Sequence, residues 1–325
     1  MKLLSGFPLV PVLALSAVAQ TWTPKTPPPD PIGAGASAAA AGGLVYLLRG
    51  AGTAHFLSYD PATDAWTPRA NLPVVADAGA GLVAVGGFLY AAQGGNLDGF
   101  FRYDIASNAW TVLKVTPFRA QDGGGLAATG GMVYLLEGAG SVAFARYDPA
   151  LDSWTARAPL PGASLSGTCL VTLLDGRLFA IPGGTNGTMF YALATDTWTP
   201  GLPAPATAAS GSQLTVHADG RLFFLAGGTS DIYEAPSDAS SWVVLPVDAP
   251  GLPTTSPLGF VPGEIFVMTT TTFASLPVAA PAAECNCEHG SDFGGCSAGG
   301  SPASAAPIAA GLLILLYTRR RSVSS

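Results

Sequence analysis

Four cysteines and three histidines carry the widest chemical range in this chain, and their positions narrow what they can do. Cys285, Cys287, His289 and Cys296 lie close together near the C-terminus. A Cys3His set of this kind can hold a structural zinc. Against that stand the C-x-C-x-H spacing, tighter than the usual finger spacing, and neighbours that cannot build a core. A disulfide or a processing role is the preferred reading. Cys169 stands alone in the apolar run "GTCLVTLL" and reads as a small buried hydrophobe. No metal and no cofactor is expected. Paired carboxylates could serve glycoside hydrolysis, but the separation that decides this is spatial.

The charge balance restricts the partners. The net charge is −7, and between Gln20 and Glu284 there are 10 Lys plus Arg against 19 Asp plus Glu. A binder of phosphate backbones needs clustered cations, so nucleic acid is not an expected partner. Hydrophobic residues make up 49% and charged residues 11%, with 41 Gly and 28 Pro. That mixture disfavours long helices and suits many short strands joined by tight turns.

Both ends read as addresses. The first 19 residues combine Lys2, an apolar stretch to Val18 and the small-x-small triplet Ala17-Val18-Ala19. This is the layout of a signal peptide cut between Ala19 and Gln20. At the other end, residues 282–304 form a Cys/Gly/Ser-rich linker, followed by a hydrophobic segment at 305–318 and a basic tail at 319–325. Read as a helix, the strictly apolar stretch from Ala305 to Tyr317 is about 20 Å long at ~1.5 Å per residue. That is short of the ~30 Å hydrocarbon core of a bilayer, but the uncharged flank from Ser301 brings it to about 27 Å, a marginal span. Arg319, Arg320 and Arg321 would stay on the cytoplasmic side of a membrane. Cysteines in a Gly-rich stretch, a short hydrophobic helix and an arginine cluster resemble the C-terminal sorting signals of myxobacterial surface proteins. The resemblance implies processing near Cys296 and delivery to the cell surface; retention of the tail as a membrane anchor is the alternative.

The elements that position any chemistry come from a repeat. Trp22, Trp66, Trp110, Trp154, Trp198 and Trp242 are spaced 44 residues apart throughout. Tyr59, Tyr103, Tyr147 and Tyr191 stand seven residues before four of them. Upstream, "GGLVY", "GGFLY" and "GGMVY" soften to "DGRLF", "DGRLF" and "PGEIF", and glycine follows the aromatic by four residues at Gly50, Gly94, Gly138, Gly183 and Gly227. Each unit parses as four short strands, for example "AGLVAV", "FLYAAQ", "FFRYD" and "AWTVLK". Four antiparallel strands per ~44 residues make one propeller blade. No 3.6-residue periodicity of helical length runs uninterrupted by Gly or Pro, which excludes a helical repeat.

The double glycine, the aromatic before it and the Tyr-x6-Trp spacing resemble the kelch repeat family across residues 20–281. The resemblance implies an all-β, six-bladed propeller. Six "GG/DG/PG-x-x-aromatic" marks require six blades, yet the sixth blade has Asn286 where its tryptophan belongs. The stretch "TWTPKTP" at Trp22 is therefore expected to supply the last outer strand and close the ring, which removes the exposed edges. Tyrosine and tryptophan are expected to pack between blades.

Kelch-fold enzymes are matched poorly. A copper oxidase needs two histidines and a thioether-forming cysteine that this chain does not offer in suitable places. Sialate epimerases need charge at the channel mouth, where the first strands are nearly apolar, and sialidase Asp boxes are lacking. The loops after the second and fourth strands should open on one face. Their charged residues are Arg49, Asp77, Asp98, Arg119, Asp122, Glu137 and Asp231, and Arg49, Asp98, Arg119, Asp122, Glu137 and Asp231 are the candidate binding residues, weighed against a merely solvated rim. The expected function is a monomeric, exported, cell-surface or envelope-anchored module that binds a protein or glycan without catalysis. The alternative is a secreted carbohydrate-active enzyme with acidic residues at the mouth.

Overall fold

The computed structural model describes residues 21–245, 258–261, 264–268, 273–278 and 312–315. The signal peptide expected at 1–19, the cysteine-rich linker with Cys285, Cys287 and Cys296, and the arginine tail lie outside the described residues. No described helix is long and apolar enough to cross a membrane.

Six four-stranded antiparallel blades follow one another in chain order. The first holds β2 (Ser37–Ala41), β3 (Leu44–Leu48), β4 (Phe56–Asp60) and β5 (Ala65–Pro68). The second holds β6 (Gly81–Val85), β7 (Phe88–Ala92), β8 (Phe100–Asp104) and β9 (Ala109–Val112), and the third β10 (Gly125–Thr129), β11 (Met132–Leu136), β12 (Phe144–Asp148) and β13 (Ser153–Ala156). The fourth is β14 (Cys169–Thr172), β15 (Leu178–Ile181), β16 (Met189–Ala192) and β17 (Thr197–Pro200). The fifth is β18 (Gln213–Val216), β19 (Leu222–Leu225), β20 (Ile232–Ala235) and β21 (Val243–Val244). In the sixth, β22 (Leu258–Val261), β23 (Glu264–Met268) and β24 (Phe273–Pro277) are completed by β1 (Thr23–Pro24), as the stranded tryptophan required. β1 pairs with β24 in the register Thr23↔Ser275 and Pro24↔Ala274. Proline is tolerated there because β1 is an outer edge strand.

Burial explains the strand sequences. Each blade is sandwiched between two others, so its inner strands are covered on both faces and read as continuous apolar runs such as "LVYLL" and "LFFL". Outer strands such as β5 and β9 are mostly exposed. Tight hairpins join the first two strands; Gly42-Gly43 and Gly130-Gly131 have positive φ at both residues, as two-residue turns that match strand twist demand. Cys169 is fully buried in β14, and burial pushes its thiol pKa far up.

Of the hydrophobic helix expected at 305–318, the residues described are β25 (Leu312–Leu315), and they form a strand. It pairs antiparallel with β2, making the first sheet five-stranded. The free inner edge of β2 offers backbone partners, which strand pairing can use and a helix cannot.

The Tyr–Trp spacing makes a seam clamp. In the second blade Tyr103 packs edge-on against Phe56 of the first, at 4.8 Å between ring centres, and Trp110 stands 5.0 Å from Phe56. The same group recurs as Phe100, Tyr147 and Trp154, and as Phe144, Tyr191 and Trp198. A residue overlooked in the sequence completes it. Asp64, Asn108, Asp152 and Asp196, each five residues after the tyrosine, have φ of 51°, 53°, 45° and 53°. Their Oδ1 accepts the tyrosine hydroxyl at 2.5–2.7 Å. The same oxygen accepts a backbone N–H just beyond the preceding blade's outer strand, from Thr26, Ala70, Lys114 and Ala158 at 2.9–3.0 Å. The carbonyl of that same residue accepts the tryptophan Nε1–H at 2.8–3.2 Å. The fifth blade has Ala235 and Ser240 at the tyrosine and Asx places, and its Trp242 Nε1 is buried without a partner.

The clamp carries a pH signature. The hydrogen bond from the tyrosine, joined by the backbone N–H, holds Asp64, Asp152 and Asp196 below the ordinary carboxylate value of 3.8. A depressed folded pKa gives stability that is full above the unfolded value and is lost as pH falls through the folded one. The stabilisation should therefore fade below about pH 4. Asn108 makes the same two bonds without a charge, so asparagine fits the site. The triple variant Asp64→Asn/Asp152→Asn/Asp196→Asn should melt close to the parent at pH 7 and lose less between pH 4 and 2, approximately the window set by the carboxylate. Asp152→Ala, which strands the tyrosine hydroxyl and the Lys114 N–H, should cost about 3 kcal/mol. Parallel acid unfolding curves for the parent and the triple variant would refute the charge assignment.

Candidate functional site

The channel mouth is built by the links from each outer strand to the next inner strand. Each link turns at a glycine of positive φ: Gly35 (75°), Gly79 (84°), Gly123 (80°), Gly167 (88°) and Gly211 (91°). They are spaced 44 residues apart. A Cβ on Gly35, Gly79, Gly123 or Gly167 would lie 2.0–2.2 Å from a backbone carbonyl oxygen of the following link. At these four junctions the links therefore touch backbone to backbone and leave no room for a side chain.

The loops after the second strands brace this ring. Gly50, Gly94, Gly138, Gly183 and Gly227 abut the links, and a Cβ there would sit 2.2–2.5 Å from link backbone. Ala51 and Ala139 replace the second glycine of the pair and still adopt φ of 56° and 51°, so the turn persists where the sequence lapses. Bridges Thr53↔Ala76, Leu97↔Ala120 and Ser141↔Ser164 join the two loop sets. Both sets open on one face, as strand alternation required.

The ring surrounds a cavity of about 530 Å³, contributed by links and loops of the first five blades. Its side chains include Asp77, Asn96, Gln121, Asp122, Thr168 and Gln213. Thr168 Oγ1 is engaged, donating to Leu165 O at 2.7 Å and accepting Gly183 N–H at 2.8 Å. One Asp77 oxygen accepts the Ala78 N–H at 2.8 Å, which shapes its turn. Gln213 is 5% exposed, and its Oε1 has no hydrogen-bond partner. Among the described residues no lysine, arginine or aromatic ring lines the cavity. Among the described residues no group of three His, Cys, Asp or Glu is arranged to hold a metal.

Of the six candidate residues, only Asp122 lines this cavity. Arg49 is taken up at home: its Nε donates to Pro31 O at 2.7 Å, and Nη1 lies 3.4 Å from His55 Nδ1. Asp98, Arg119 and Asp231 are exposed on the loops, and Glu137 is half-buried. Asp122 shares the cavity lining with Asp77, whereas Asp98, Glu137 and Asp231 are not among its lining residues. The residues overlooked were Asn96, Gln121, Gln213 and the glycine ring. The ring had a signal, the 44-residue spacing; the uncharged side chains had none beyond their loop positions.

No family model matches the sequence, and no curated protein matches it. Among solved structures the chain is similar to one titled "Structure of YjhT", with a TM-score of 0.58 and 15% identity over 78% of this chain and 95% of that one. At that identity the likeness is one of fold, and it agrees with the strand order: the chain is a six-bladed β-propeller.

Proposed function

We propose that this chain is an exported, kelch-like propeller that binds a neutral glycan end at its channel mouth, without catalysis. The observation that carries the reading is the cavity of about 530 Å³ ringed by backbone turns, carboxylates and amides. Its size falls in the range of small-ligand sites, ~300–1,000 Å³, rather than that of a flat protein interface. Peptide groups, Asp77, Asp122, Asn96 and Gln121 offer donors and acceptors for hydroxyls. Among the described residues the lining has carboxylates and no cation, which disfavours phosphorylated or acidic sugars. The apolar leader ending at Ala19 supports export.

A glycan array probed with the chain from Gln20, with and without residues beyond Ser304, tests this. Binding of neutral glycans that weakens at least tenfold in Asp122→Asn and in Gln213→Leu is the expected result. An array blank for every glycan would overturn the reading. The hydrolase alternative retains one specific support, since Asp77 and Asp122 share the cavity. It requires release of reducing ends that stops in both Asp77→Asn and Asp122→Asn.

A further inference from the structure

We infer that the C-terminal apolar segment is stowed inside the propeller channel as a plug strand on the first blade, rather than standing clear of the propeller as a free membrane anchor. Leu312–Leu315 pairs with Ser37–Ala40 in the register Ser37↔Leu315, Ala38↔Ile314, Ala39↔Leu313 and Ala40↔Leu312. It also contacts β6, β18 and β22, the innermost strands of the second, fifth and sixth blades. A strand that contacts four innermost strands of a closed ring lies in its channel.

The physical case has four parts. The inner edges of a propeller present backbone N–H and C=O groups that no neighbouring blade can take up, and an added strand satisfies them by β-augmentation. β2 reads "SAAAA", so no bulky side chain of the paired strand competes for space. In water the run "LLILLY" must be covered, and the strand at its first four residues lies among the innermost strands, whereas the strictly apolar stretch is short for a bilayer. The 33 residues from 279 to 311 reach about 110 Å when extended. The distance from an outer to an inner strand is only about 15 Å.

Polarity adds a consequence. Ser37 follows the mouth turn at Gly35, so antiparallel β25 runs toward the mouth, where Asp77 and Asp122 stand. Arg319–Arg321 follow Leu315 within a few residues. Opposite charges thus favour this direction of threading. On the proposed glycan reading, the stowed tail competes for the mouth, and removing it unmasks the site.

Paired cysteines test the plug independently of any ligand. In the full chain with Cys285, Cys287 and Cys296 changed to serine, Ala38→Cys is combined with Ile314→Cys, and separately Ala39→Cys with Leu313→Cys. Antiparallel partners lie about 4.5–5.5 Å apart at Cα, within disulfide reach. Mild oxidation should link at least one pair, read by mass spectrometry of the digest, while Ile314→Cys with Ala128→Cys, in the third blade, stays unlinked. Absence of a link in both matched pairs, or equal linking to Ala128→Cys, overturns the plug. In the unaltered chain, chymotrypsin should spare Leu312–Tyr317 for as long as the propeller stays folded; prompt cutting there overturns it as well. Full and Ser304-ended chains binding a glycan equally, with the link formed, would sink only the competition at the mouth.

Discussion

Removing Gln20–Pro27 should lower the melting temperature by about 10–20 °C or abolish cooperative unfolding, because these residues hold the ring shut. The loss has several parts. The Thr23–Pro24 pairing with β24 disappears, together with the Lys25 N–H bond to Phe273 O at 2.8 Å. Trp22 leaves the apolar cluster shared by the first, fifth and sixth blades. Thr26 serves the first blade's clamp three times, accepting Trp66 Nε1–H at 2.8 Å and donating from N and Oγ1 to Asp64 at 2.9 and 3.0 Å. Each hydrogen bond contributes about 1 kcal/mol, more where a carboxylate accepts, and withdrawing a half-buried indole adds about 2 kcal/mol. The sum of roughly 5 kcal/mol or more rivals the whole stability of many domains, and in a domain of this size each kcal/mol moves the midpoint by about 2–4 °C. Trp22→Ala and Thr26→Pro, which removes the N–H and the hydroxyl but keeps the carbonyl, should each give a smaller part of the same shift. A melting curve unchanged by the deletion would show that the ring closes without its latch.

The latch was legible because the repeat leaves an arithmetic remainder: one tryptophan with no unit before it, and one unit with no tryptophan. Blade number and strand positions followed from the same period, since inner strands buried on both faces must read as apolar runs. The clamp was half legible. Tyrosine and tryptophan are conspicuous, but Asp64, Asn108, Asp152 and Asp196 look like ordinary turn residues in "ATDAW", "ASNAW", "ALDSW" and "ATDTW". Their second task, accepting an N–H from the preceding blade, exists only once the blades are side by side.

The candidate site was less legible for a physical reason. Charge was used as the signal for binding, and charge selects exposed loop tips such as Asp98, Arg119 and Asp231. The cavity is lined mostly by main chain at glycine turns and by amides; its charged side chains are Asp77 and Asp122, and of the six candidates only Asp122 is among them. The tail's apolar run was read against a sorting signal and a membrane span, and the four of its residues that are described pair with β2. The channel of the same molecule is another place where such a run is covered, and there it forms a strand.

The glycine ring gives the sharpest test of how the mouth is built, because two substitutions of the same type should differ severalfold. Gly43 has φ of 80° and nothing within 4 Å of an added Cβ; Gly79 has φ of 84°, with Gln121 O at 2.2 Å and Gln121 Cα at 2.8 Å. Gly43→Ala therefore exposes only the conformational penalty of an L-residue at positive φ, about 1 kcal/mol. Gly79→Ala carries that penalty plus a collision with backbone, which cannot rotate away as a side chain could. The blades must part or the link must refold, at an added cost of about 1–3 kcal/mol typical of overpacking. Denaturant titration should place the two variants about 2 kcal/mol or more apart. Displacing the 79 link also moves Asp77 and the Gln121–Asp122 turn, so glycan binding at the mouth should fall in Gly79→Ala and persist in Gly43→Ala. Equal destabilisation by the two substitutions would mean that the links do not touch, and the backbone-walled cavity between them would have to be abandoned.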